Sequence, residues 1–95
     1  MTEQTISIDR MEDAIAVFGA FDENLKIIEH ELGVSVVSRD DQLKVAGEAE
    51  AVMHAVKALE GLLSLSARKE SITEQNVRYI INLVKAGNEA HIYDI

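Results

Sequence analysis

The chain has 95 residues, 47% of them hydrophobic and 27% charged, with no proline and no cysteine. That length holds one domain burying roughly 60–65% of its unfolded surface and excludes a second lobe, while the missing cysteines exclude disulfides and thiolate metal sites. Residues 1–50 carry twelve acidic and four basic side chains and residues 51–95 five of each, so the whole net charge of −8 sits in the first half, the reverse of a general nucleic-acid clamp built on Lys and Arg.

The segment "TISID" alternates apolar and polar at Ile6 and Ile8, the period of a strand. It ends at Asp9 with Glu12 three residues on, the pattern of a capping box that opens a helix. Met11, Ile15 and Phe18 recur at helical spacing as far as Gly19, which predicts a first helix with those residues inward. After a turn at Gly19-Ala20-Phe21-Asp22, Asp22 is expected to cap a second helix whose buried stripe is Leu25, Ile28 and Leu32 and whose end is Gly33.

"VSVVSRDDQLKVAG" reads as two strands about a turn at Asp40-Asp41, with Val34 and Val36 of one and Leu43 and Val45 of the other on a common core. From Glu48, the spacing Val52, Val56, Leu59, Leu63 predicts a long helix weakened at its end by Gly61. A last helix is expected from about Thr73, with Ser71 and Glu74 in a capping pattern, through Val77, Ile80, Ile81 and Val84 to Gly87. The expectation is an α+β fold in the order β-α-α-β-β-α-α: a three-stranded antiparallel sheet covered by helices, with Ile6, Ile8, Ile28, Val36, Val45, Val56 and Leu59 in one core. Residues 1–87 form the domain, and 88–95, "NEAHIYDI", read as a tail or the start of a linker.

The order β-α-α-β-β-α, together with residues 17–65, resembles a KH domain, in which a GxxG loop joins the first two helices. Gly19 matches the first glycine, Ala20 and Phe21 the variable pair, and "LKVAGEAEAVMHAVKAL" the third strand and following helix, but Asp22 stands where the second glycine belongs. More narrowly, the run from "TISID" through "FGAFDENLKIIEHELGVSVVSRDDQLKVAGEAEAV" to "SITEQNVRYIINLVKAG" is similar to the N-terminal domain of the PhoH-like family of ATPases. The resemblance implies a KH-like appendage, with an extra C-terminal helix, that precedes a P-loop ATPase domain in an intracellular bacterial protein linked to phosphate starvation and RNA metabolism. No G-x-x-x-x-G-K-[ST] occurs in the 95 residues, so no enzyme activity and no cofactor is expected of this chain itself.

A GxxG loop works by letting the backbone approach phosphates. Here Asp22 replaces a glycine, and residues 19–31 hold Lys26 against Asp22, Glu23, Glu29 and Glu31, a field that repels a polyanion. Only Phe21 favours a nucleic acid, since an exposed aromatic can stack on a base. The candidate nucleic-acid-binding set is therefore Gly19, Ala20, Phe21, Asp22, Lys26, Arg39 and Lys44, which must converge on one surface to act. Glu50 and His54 share a helix face but supply two ligands where a metal site needs three or four, so no metal is expected. Three classes result: a weak single-stranded RNA-binding module, an interaction module docking on its own C-terminal ATPase domain or forming a homo-oligomer through Leu62, Leu63, Leu65 and the last helix, and an enzyme. The charge favours the interaction module, with any RNA contact weak. The lack of an apolar leader or span points to the cytoplasm and to no membrane partner.

Overall fold

A computed structural model describes residues 1–8, 10–39 and 41–87, with the backbone alone for Met11. Strand β1 is Thr2–Ser7, helix α1 Met11–Phe18, helix α2 Glu23–Leu32, strand β2 Ser35–Arg39, strand β3 Gln42–Gly47, helix α3 Ala49–Ala67 and helix α4 Glu74–Lys85. The expected order is therefore present. The sheet runs β1-β3-β2, wholly antiparallel, with β3 in the middle.

Alternation along each strand sends Ile6, Val36, Leu43 and Val45 into one core with the helices. The opposite face, carrying Glu3, Thr5, Val37, Arg39 and Lys44, is exposed. Helix α2 buries Leu25, Ile28 and Leu32 as its spacing requires and stops at Gly33, whose left-handed φ of 68° turns the chain so that the Val34 N–H also reaches the Glu29 carbonyl, at 3.2 Å. Helix α4 buries Val77, Ile80, Ile81 and Val84. Of the expected core, Val56 alone is only half-buried.

Three expectations are corrected by the structure. Helix α1 turns Ala14, Val17 and Phe18 inward and leaves Ile15 63% exposed. It packs on α3, whose buried face includes the small residues Ala55, Ala58 and Gly61, so a small Ala14 fits where a larger side chain would hold the helices apart. Gly61 lies within the buried face of α3, which continues through Leu62 and Leu65 to Ala67; those two leucines are core, not an open docking surface. The N-cap of α1 is Arg10, without a side-chain cap bond, and the Asp9 position lies outside the described residues, as do Asp40 and the tail 88–95. Helix α4 starts where expected: Thr73 caps it, its hydroxyl accepting from the Asn76 N–H at 3.1 Å, while the Ser71 carbonyl accepts from the Asn76 side chain at 2.8 Å.

Candidate functional site

The turn between α1 and α2 is built from backbone conformations that ordinary residues avoid. Gly19 stands at φ 77°, ψ −176°, a region open in practice to glycine alone. A side chain there would place its Cβ 2.8 Å from Asn24 Nδ2, so Gly19 is needed twice, for its angle and for its lack of bulk. The space it leaves is used by Asn24, only 3% exposed, whose Nδ2 donates to the Val17 carbonyl at 3.1 Å. One buried amide thus ties the end of α1 to the start of α2 and satisfies a carbonyl that helix geometry leaves unpaired.

Phe21 and Asp22 follow at φ 55° and 58°, both left-handed, with the Asp22 N–H bonded to the Gly19 carbonyl at 3.3 Å. For L residues that conformation costs roughly 1–2 kcal/mol each, less for Asp. Asp22 consequently does not cap α2 as its position suggests: its backbone is left-handed where an N-cap is extended, and its side chain makes no cap bond. Phe21 is 92% exposed. Its ring therefore contributes nothing to the core while its backbone holds strain.

The seven candidate residues do not form one surface. Gly19, Ala20, Phe21 and Asp22 make the turn, and exposed Lys26 lies one turn into α2, all in the helical layer. Arg39 and Lys44 project from the face of the sheet that the helices leave uncovered, and Lys44 is already paired with Glu3 at 3.3 Å. Of the acids near the turn, Glu29 accepts from the Val36 N–H at 2.9 Å and Glu31 pairs with Arg78 at 3.1 Å, leaving Asp22 and Glu23 as its exposed negative charges.

Elsewhere the surface is shallow. In a depression of about 320 Å³ beside the end of β1, lined by Arg10, Asp13 and Glu60, two of the charged groups are engaged internally: Asp13 accepts from Ser66 at 2.9 Å and Arg10 pairs with Glu12. Among the described residues no group of three His, Asp or Glu could hold a metal ion, and no helix is long and apolar enough to cross a membrane.

Sequence reasoning missed Asn24. Its signal was present, since Asn24, Ile28 and Leu32 lie at i, i+4 and i+8, and a polar residue on a core stripe marks a buried hydrogen bond.

No family model matches the chain, and no solved structure matches it. The PhoH-like protein of Bacillus subtilis (strain 168) is 29% identical over 98 aligned positions, an alignment covering 99% of this chain and 30% of that protein. The chain thus spans a little under a third of the relative it matches, and along its whole length it is similar to a PhoH-like protein.

Proposed function

We propose that this chain is a KH-like accessory domain of a PhoH-like protein, without catalysis of its own, and that it serves assembly or regulation of the ATPase part by docking the turn at Gly19-Ala20-Phe21-Asp22 on another protein surface. The observation that carries this reading is Phe21, whose ring is 92% exposed on a left-handed backbone. Strain and solvent exposure together are costs that persist where a function uses them, and burying that ring against a partner contributes roughly 2 kcal/mol. Ile15, 63% exposed one turn before Gly19, adds apolar surface at the same helix junction.

The charge around the turn selects the class of partner. Asp22 and Glu23 flank Phe21 with carboxylates, so a phosphate backbone is repelled where a protein surface bearing a hydrophobic socket and basic rim is not. Arg39 and Lys44 lie on the other face and cannot complete a phosphate track with Lys26. Single-stranded RNA is the second reading because a ring free to stack on a base is also what Phe21 offers.

The test is a full-length PhoH-like protein carrying this domain, with Phe21→Ala. Association between the domain and the remainder, measured with the two supplied as separate chains, should weaken roughly 30-fold for the loss of ~2 kcal/mol, while the domain's melting temperature does not fall. Unchanged association, with micromolar binding of single-stranded RNA by the wild type, overturns the proposal in favour of the RNA reading.

A further inference from the structure

The two edges of the sheet are finished differently. In an antiparallel ladder a residue's N–H and C=O point to the same side. The Val36 N–H goes to the Glu29 carboxylate at 2.9 Å, so it points away from β3, and the middle of the β2 edge is closed by a side chain. Val36 lies opposite Val45, and Val45 opposite Gln4, so the main chain of Val45 turns toward β1 and bonds with Gln4. Ile8 confirms the parity, its N–H donating to the Asp41 carbonyl at 2.7 Å. It follows that Glu3, Thr5 and Ser7 direct their N–H and C=O groups outward along the β1 edge.

That edge also lacks the devices that keep exposed strands apart. It has no proline, and its single charged side chain, Glu3, is paired with Lys44 of its own sheet at 3.3 Å. Beside it runs a groove of about 450 Å³ between β1 and α3, with Val52, Val56 and the 50% exposed Met53 along its wall.

We propose that a second copy of this chain covers the β1 edge, the two β1 strands pairing antiparallel across a two-fold axis at Thr5 to give one six-stranded sheet. With that register Thr5 faces its own copy and Glu3 faces the copy's Ser7, so every outward main-chain group from Glu3 to Ser7 is bonded and Glu3 does not stand opposite its own copy. Helix α3 lies over both β1 and β3. Its copy therefore runs beside it at about two strand spacings, ~10 Å, the distance at which helices pack, and Met53 and Val56 close the seam. The interface is isologous, as a two-fold dimer requires. It deepens the assembly reading at a second surface, and the two fail separately because the variants that test it leave the turn at Phe21 intact.

The test uses the 95-residue chain. Sedimentation of the wild type should give a mass rising with concentration toward twice 10.5 kDa. Thr5→Pro, which removes an edge N–H and is tolerated on an edge strand, should return it to the monomer. Met53→Asp, on α3 and away from the strand, should weaken the dimer without touching the ladder. Because the chain has no cysteine, Thr5→Cys reports the register directly: across the axis its Cα atoms lie about 5.5 Å apart, within disulfide reach, whereas in Glu3→Cys they lie roughly 14 Å apart. Rapid oxidation to a dimer by Thr5→Cys and not by Glu3→Cys is the expected result. A wild type that stays at 10.5 kDa at every concentration overturns the proposal and leaves the edge to a strand of another protein. A dimer indifferent to both Thr5→Pro and Met53→Asp, or equal oxidation of the two cysteine variants, overturns it as well.

Discussion

Gly19 and Phe21 are two residues apart, and the structure gives their substitution opposite signs. Gly19→Ala forces a side chain into φ 77°, ψ −176°, a strain of about 1–3 kcal/mol. It also drives a Cβ to 2.8 Å from Asn24 Nδ2, and Asn24 cannot yield without giving up its bond to the Val17 carbonyl. Leaving those buried groups unpaired costs about 1–3 kcal/mol more. If part of each cost is relieved by relaxation, the sum is ~3 kcal/mol, and a domain of this size should lose roughly 10–20 °C in melting temperature. Phe21→Gly removes a ring that is 92% exposed, so no packing is lost, and it relieves a φ of 55°. The gain of ~1–2 kcal/mol is partly returned to the more flexible unfolded chain, which takes back about 0.4–1 kcal/mol. A rise of a few degrees should remain. Urea denaturation and calorimetry on both variants decide the matter. A Gly19→Ala domain with an unchanged midpoint, or a Phe21→Gly domain less stable than wild type by ~1 kcal/mol or more, would refute the account of the turn.

Asn24→Ala should destabilise by about 2 kcal/mol through the unpaired Val17 carbonyl, seen as a lower urea midpoint with an unchanged slope. Asp22→Gly should leave stability within about 0.5 kcal/mol of wild type, because the modest relief of a left-handed Asp is offset by the more flexible unfolded chain and no cap bond is removed, whereas Thr73→Ala, which does remove one, should cost about 1 kcal/mol. Titration with a labelled oligoribonucleotide near physiological salt should give a dissociation constant weaker than about 100 µM for the wild type, at the weak end of non-specific binding.

The strands and three of the helices were legible because each buries one face, and burial leaves a period of 2 or 3.6 in the sequence. Val34, Val36, Leu43 and Val45 show the first and Leu25, Ile28 and Leu32 the second, and all seven are core. Helix α1 was misread by one position, since Ile15 outweighs Ala14 on any hydropathy count, and the fit of Ala14 against the small residues of α3 is a property of the packed pair and not of either segment. Asp22 illustrates a different limit. The residue type that caps helices is also the type that tolerates a left-handed backbone, and only the coordinates decide which property is used. Likewise Arg39 and Lys44 share a sign with Lys26 but not a surface, which charge counting cannot reveal.

The chain contains two phenylalanines, Phe18 in the core at 7% exposure and Phe21 at 92%, so fluorophenylalanine labelling gives two fluorine resonances, one of them an internal control. The most direct measurement compares the labelled domain alone, with the remainder of the proposed PhoH-like protein, and with single-stranded RNA. The account predicts that the remainder shifts and broadens the Phe21 resonance while the Phe18 resonance stays in place, and that RNA at tens of micromolar moves neither. A Phe21 resonance that ignores the protein and responds to the RNA would contradict it.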